Sequence, residues 1–109
     1  MRFRFIAAIL TVLSIGAFVS TGGASARSTP RCNGKVATIV GSGAINGTEG
    51  NDVIVGSKGA DVINGAGGID TICGLDGDDN ISLGGSGSWA DGGSGDDQIH
   101  ASFGAKALG

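Results

Sequence analysis

Hydrophobic and polar positions follow one frame of nine residues that repeats six times, without insertion, over residues 47–100. The six blocks read, in order, GTEGNDVIV, GSKGADVIN, GAGGIDTIC, GLDGDDNIS, LGGSGSWAD and GGSGDDQIH. In five of them glycine occupies the fourth position, aspartate the sixth and isoleucine the eighth, whereas the fifth block has Ser86, Ser88 and Ala90 there. Because a fixed short period is typical of stacked repeats, the pattern predicts a solenoid and not a globular core.

The three residues that follow each sixth position have the pattern of a short strand. Side chains of a strand point alternately to opposite faces, so position eight is expected to face the interior and positions seven and nine to face outward. The interior ladder would then comprise Ile54, Ile63, Ile72, Ile81, Ala90 and Ile99. The six residues before each strand are rich in glycine, which adopts the backbone angles of a tight turn freely. Each block therefore predicts one turn followed by one strand.

The blocks resemble the haemolysin-type calcium-binding repeat, also called the RTX nonapeptide, whose pattern is G-G-x-G-x-D followed by x, a large apolar residue and x. The resemblance implies an all-β fold, a parallel β-roll or β-solenoid in which two repeats complete one coil. It also implies that calcium lies between stacked turns, held by the carboxylates at position six and by backbone carbonyls. It implies no biological role, because such repeats are attached to proteases, lipases, toxins and adhesins alike.

The resemblance places the metal ligands at Asp52, Asp61, Asp70, Asp79 and Asp97. If blocks two apart stack, about three full calcium sites are expected between position-six carboxylates, at Asp52/Asp70, Asp61/Asp79 and Asp79/Asp97. A fourth site, between Asp70 and Ser88, would lack one carboxylate and should be weak or empty. Hard oxygen ligands without His or Cys suit calcium better than zinc or copper.

The alternative for these aspartates is ordinary turn chemistry, since Asp and Gly are common turn residues. Scattered turn aspartates would not keep a nine-residue frame with an apolar partner two positions later, and calcium ligation is therefore favoured. The other acids of the repeats fall outside position six and are interpreted as a solvated surface or, less favoured, as further ligands: Glu49, Asp76, Asp78, Asp91 and Asp96.

The ends of the chain differ in composition from the repeats. Residues 1–26 have the basic start, apolar run and small-residue cleavage pattern of a signal peptide, with cleavage expected after Ala26. Residues 27–46 are predicted to form an N-terminal cap segment, with one strand over residues 36–40 and with Ile45 facing the core. Residues 101–109 are predicted to form a C-terminal cap or tail, in which Phe103 and Leu108 could cover the last coil.

Two cysteines, Cys32 and Cys73, fit an exported protein, where disulfides form and persist. Only one intrachain pairing is possible, and we expect it to form. The alternatives are two free thiols or a metal site, and two isolated thiols without a partner histidine make a poor metal site.

Composition and charge narrow the function. The seven basic residues include Arg2 and Arg4, so cleavage would leave five against ten acids, a net charge of −5. No basic cluster exists for nucleic acid or an anionic membrane, and no membrane span is expected after cleavage. The one histidine, His100, stands at an outward position without a nucleophile motif nearby, so an enzyme is not expected.

The sequence therefore predicts a secreted, extracellular calcium-binding protein that acts as a structural or interaction module, with calcium driving its folding outside the cell. The alternative is a cell-surface adhesion or partner-recognition solenoid, in which Trp89 could contact a partner or, instead, cover the irregular fifth block. An ice-binding surface is disfavoured because the outward turn positions form no row of Thr or Asn.

Overall fold

Eleven short strands account for the regular structure of residues 28–109, the part of the chain that the computed structural model describes. The strands are β1 (Arg31–Cys32), β2 (Lys35–Val36), β3 (Ile39–Val40), β4 (Ala44–Asn46), β5 (Val53–Val55), β6 (Val62–Asn64), β7 (Thr71–Cys73), β8 (Asn80–Leu83), β9 (Trp89–Asp91), β10 (Gln98–Ala101) and β11 (Lys106–Leu108). Among these residues there is no helix, and hence none that could span a membrane. The expected signal peptide, residues 1–26, lies outside the described residues.

The repeat strands form two parallel sheets on opposite sides of the core. One sheet has the order β10-β8-β6-β4 and the other β11-β9-β7-β5-β3, so successive strands of the chain alternate between them. In the repeats each strand pairs with the strand two blocks further on, as Ile54 does with Ile72 and Ile63 with Ile81. The prediction of a parallel β-roll with two nine-residue repeats per coil is therefore confirmed.

The core column consists of the position-eight side chains of the two facing sheets together with Leu83, at position one of the fifth block. Ile54, Ile63, Ile72, Ile81 and Ala90 are at most 1 % exposed, as the alternation of the strand residues predicts. Removal of this apolar surface from water stabilises the roll by about 25 cal/mol for each Å² buried. Each full coil contributes only two position-eight side chains, so it depends on the coils directly above and below it.

The two-block period changes at both ends of the roll. Ile39 of β3 pairs with Ile54 and not with Ser57, which lies two full blocks further on, because residues 41–43 form a shorter turn than the turns of the repeats. At the other end Ala90 pairs with Ala107 and not with Leu108, the residue that the regular period would place opposite it.

The two large apolar side chains after the last repeat, Phe103 and Leu108, do not cover the end of the roll. Phe103 is 98 % exposed and Leu108 is 41 % exposed. The prediction that these two residues cover the last coil is therefore wrong. The shortened coil that ends in β11 leaves both of them in contact with solvent.

An antiparallel hairpin of β1 and β2 precedes the roll. The single strand predicted over residues 36–40 is wrong, because β2 ends at Val36 and β3 begins at Ile39. Strand β1 contacts β5 and β7, and Cys32 forms a disulfide with Cys73, an outward residue of β7. The hairpin therefore lies across the outer face of the five-stranded sheet.

This hairpin changes the surroundings of two repeat side chains that were expected to face solvent. Val55 is 4 % exposed and Thr71 is 3 % exposed, although both point away from the core column. The Lys35 Nζ donates a hydrogen bond to the Thr71 Oγ1 at 3.2 Å. The first coils thus have a second layer on one face.

Candidate metal centre

The residues at position six of the repeats lie inside the turns of the roll, in two columns. Four of the aspartates are nearly inaccessible, with exposures between 0 and 6 %, while Asp97 near the end of the roll is half-buried. One column contains Asp52, Asp70 and Ser88, and the other contains Asp61, Asp79 and Asp97. Burial of so many like charges is costly unless each carboxylate has a partner.

One carboxylate oxygen, Oδ1, links successive turns of a column in every one of these aspartates except Asp52. The backbone N–H of Asp52 donates to Asp70 at 3.0 Å, that of Asp61 to Asp79 at 2.8 Å, and that of Asp79 to Asp97 at 2.9 Å. Two exceptions keep the same geometry. The Ser88 Oγ accepts the N–H of Asp70 at 2.9 Å. The N–H of Gly43, which stands at the position-six place of the turn before the repeats, donates to the Asp61 Oδ1 at 2.6 Å.

In the first two turns the second oxygen, Oδ2, is satisfied by the residue at position two. The N–H of Thr48 donates to the Asp52 Oδ2 at 2.6 Å, and the N–H of Ser57 donates to the Asp61 Oδ2 at 2.7 Å. The hydroxyls of Thr48 and Ser57 lie 3.0–3.1 Å from both oxygens of the same carboxylates. Each hydroxyl also accepts the N–H of the glycine at position four, at 3.1 and 3.2 Å. These two turns are closed by their own side chains.

In the later turns the second oxygen has no such partner. The Oδ2 atoms of Asp70, Asp79 and Asp97 are buried without a hydrogen bond among the described residues. Their position-two residues are Ala66, Leu75 and Gly93, which carry no hydroxyl and have positive φ values of 65°, 88° and 92°.

The left-handed conformation turns the position-two N–H away from the aspartate of its own turn. The N–H of Ala66 donates to Asn64 at 3.1 Å, and the N–H of Gly93 donates to Asp91 at 3.0 Å. Both acceptors stand at position nine of the preceding block. The carboxylates of these open turns therefore each present one free, buried oxygen.

Electrostatics oppose ionisation of the two most buried open-turn carboxylates. Burial raises the pKa of Asp70. The hydrogen bond from the N–H of Asp52 lowers this pKa by a smaller amount, and the negative charge of the Asp52 carboxylate raises it. Burial also raises the pKa of Asp79, the N–H of Asp61 lowers it, and the carboxylates of Asp61, Asp97 and Asp78 raise it. A cation beside these oxygens would compensate both the lost hydration and the repulsion.

Glycine at position one brings backbone carbonyls close to these carboxylates. A Cβ at Gly56 would lie 2.6 Å from the Asp61 Oδ2 and 2.8 Å from the carbonyl oxygen of Gly74. A Cβ at Gly74 would collide with the Asp79 Oδ2 and lie 2.7 Å from the carbonyl oxygen of Gly92. The space between stacked turns is thus lined by carboxylate and carbonyl oxygens, the hard donors that calcium prefers.

Side chains alone do not complete a metal site here. Within residues 28–109 no three His, Cys, Asp or Glu side chains converge on one point. A cation between two turns would therefore need backbone carbonyls in addition to the stacked carboxylates. The buried free oxygens and the glycine-lined space fit such an ion.

The Gly74→Ala variant is expected to lose about 1–3 kcal/mol of stability in calcium, the usual cost of forcing a methyl group into a filled site. Gly59→Ala is the matched control, because its Cβ would meet only the Ser57 Oγ, at 3.9 Å, and its φ is not positive. Urea unfolding in saturating calcium measures both. Equal stability of the two variants would contradict the close approach at Gly74.

The fold and its buried carboxylates define a β-solenoid with oxygen-lined turns. The family model of the RTX calcium-binding nonapeptide repeat, in four copies, matches residues 40–72 and 74–105. Because these segments make up more than half of the chain, the protein belongs to the RTX calcium-binding repeat family. Neither the curated proteins nor the solved structures gave a significant match.

The structure brings the predicted site residues together in the expected pairs, two blocks apart. It also reveals two residues that the sequence interpretation missed, Thr48 and Ser57, as partners of the first two carboxylates. The sequence contains a signal for these two residues, since only the first two blocks carry a hydroxyl side chain at position two. Its meaning depends on a turn geometry that the repeat pattern does not specify.

Proposed function

We propose that this protein is a secreted calcium-binding module whose roll closes fully only when calcium is bound. The proposed ligands are the carboxylates at position six, with backbone carbonyls of the same turns: Asp52, Asp61, Asp70, Asp79 and Asp97. The observation that carries the proposal is the set of three buried Oδ2 atoms without a partner among the described residues. Membership of the repeat family supports the choice of calcium.

About three ions are proposed, at Asp52/Asp70, Asp61/Asp79 and Asp79/Asp97, with a weaker site at Asp70/Ser88. Ser88 supplies the oxygen that accepts the N–H of Asp70, but it has no second oxygen to offer an ion. Three divalent ions would bring the charge of residues 27–109 from −5 to about +1. The repulsion that opposes the calcium-free roll would then be removed.

The proposed organisation is a signal peptide over residues 1–26, a cap segment over 27–46, the calcium-binding repeats over 47–100 and a tail over 101–109. Extracellular calcium modules bind with dissociation constants of roughly 10⁻⁴–10⁻³ M. Ions that bind only the folded state stabilise it by mass action. The chain would therefore stay loose where calcium is scarce and close after export, with a structural and not a catalytic role.

Circular dichroism during a calcium titration tests the proposal on the protein without residues 1–26. The strand signal is expected to grow with calcium, with a midpoint of roughly 10⁻⁴–10⁻³ M, and to revert with chelator. Magnesium is the control, because it demands a tighter octahedral geometry and should be less effective. A strand spectrum that does not change with chelator would contradict calcium-dependent folding.

A further inference from the structure

The two kinds of turn divide the roll along its length. The closed turns, in which a hydroxyl and an N–H satisfy the aspartate, are the first two, at Thr48 and Ser57. Every described aspartate with an unpartnered buried oxygen comes later, at Asp70, Asp79 and Asp97. The internal hydrogen bonds satisfy both carboxylate oxygens in the closed turns, so these turns need no ion for their own closure.

We propose that Thr48 and Ser57 close the first two turns of the repeats without an ion, so that residues 28–64 keep their structure without calcium and the requirement for calcium begins at the third turn. This inference rests on the proposed function, because it assumes that calcium binds between the later turns. It concerns which part of the roll depends on the ion.

Charge supports the same division. Residues 28–64 contain three acids, Glu49, Asp52 and Asp61, and three bases, Arg31, Lys35 and Lys58, so their net charge is zero. Residues 65–100 contain no Lys or Arg and seven acids, a net charge of −7 with histidine neutral, and the acids are Asp70, Asp76, Asp78, Asp79, Asp91, Asp96 and Asp97. Self-repulsion of this size destabilises a compact state, and bound divalent cations relieve it.

The hairpin adds stability to the same end of the molecule. Its strand β1 contacts β5 and β7, and it covers Val55 and Thr71. The disulfide between Cys32 and Cys73 keeps it in place. Within residues 28–109 no corresponding layer covers β9 or β11, and the last coil leaves Phe103 exposed. The first coils therefore have packing, a cross-link and closed turns that the later coils lack.

Hydrogen exchange of single backbone amides, followed by NMR on the disulfide-bonded protein, tests the division. The amides of Gly47, bonded to Asn64, and of Val62, bonded to Gly43, report on the first part. The amides of Gly92, bonded to Leu108, and of Gln98, bonded to Asp79, report on the second. In chelator the first pair is expected to be at least about tenfold more protected than the second, and calcium should protect all four.

The variant arm removes both hydroxyls in Thr48→Ala/Ser57→Ala. In chelator the protection of Gly47 and Val62 is expected to fall by about tenfold or more, as for lost hydrogen bonds to a charged acceptor. Ser94→Ala is the control, because the Ser94 hydroxyl bonds an exposed carboxylate, Asp76, outside the two columns. That variant should exchange as the wild type does.

The outcomes separate the two proposals. Equal protection of the four amides in chelator, or a double variant that matches Ser94→Ala there, overturns the division. If no amide is protected in chelator and all four gain protection at one calcium concentration, calcium binding stands and only the division fails. If calcium leaves Gly92 and Gln98 unprotected, the proposed function fails, and the division fails with it. The protection of the four amides in the wild-type protein tests the division even if the double variant does not fold.

Discussion

Replacing Asp79 with alanine is expected to remove about two calcium ions, whereas Asp52→Ala is expected to remove about one. Asp79 lies between Asp61 and Asp97, in the one of the two columns within residues 28–109 that stacks three aspartates. It therefore borders two proposed sites, while Asp52 borders one, shared with Asp70. Isothermal calorimetry of the variants against chelator-treated wild type gives the number of ions bound.

Two further variants separate loss of a ligand from loss of charge or structure. Asp78→Ala removes the same charge one residue away, from an exposed side chain that accepts the N–H of Asp96 at 2.9 Å, and should keep every ion. Asp79→Asn keeps an oxygen for the N–H of Asp61 but loses the charge, and should lose ions as Asp79→Ala does. Equal stoichiometry for the Asp78 and Asp79 variants would contradict the proposed sites.

The repeat frame allowed most of the fold to be predicted from the sequence. A nine-residue period without insertions determines which residue of each block faces the core, and Ile54, Ile63, Ile72 and Ile81 are buried as that alternation requires. The pairing of residues two blocks apart, which brings the aspartates into two columns, was expected from the resemblance to the repeat family. The inward residue and the strand pairing repeat in every block. In a strand of three residues, the inward residue also determines which two residues face outward.

Features outside the frame could not be predicted in the same way. The turn over residues 41–43 shortens the first coil, and the repeat frame gives no sign of this shortening. The hairpin of β1 and β2 lies on an outer sheet face, and its position depends on tertiary contacts with β5 and β7. As a result Val55 and Thr71 are buried at outward positions.

The candidate site was predictable in its residues but not in its hydrogen bonds. The aspartate at position six marks the carboxylates, and the structure places them as expected. Whether an Oδ2 atom is satisfied depends on the backbone conformation at position two, which is left-handed at Ala66 and Leu75 but not at Thr48. Among the turns with an aspartate, those with a hydroxyl at position two are closed and those without one are open, and the repeat pattern allows both.

Removal of the disulfide is expected to destabilise the calcium-loaded protein by about 4 kcal/mol, the value that the chain-entropy model gives for a loop of this length. Cys32 and Cys73 are 41 residues apart in the sequence, and the bond joins the hairpin to β7. Without it the hairpin is held only by packing and by contacts such as that of Lys35 with Thr71. Urea unfolding of Cys32→Ser/Cys73→Ser in saturating calcium measures the loss.

The same variant is expected to need roughly tenfold more calcium to fold. A loss of about 4 kcal/mol shared among about three ions is ~1.3 kcal/mol for each ion. A tenfold increase in calcium concentration supplies ~1.4 kcal/mol per ion, which compensates this loss. The midpoint of the calcium titration followed by circular dichroism gives this shift. Wild-type protein treated with a thiol reductant is the control, since it lacks the bond but keeps both cysteines, and its midpoint should move equally. An unchanged calcium midpoint in a variant that is less stable to urea would show that the hairpin and the calcium-binding turns unfold independently.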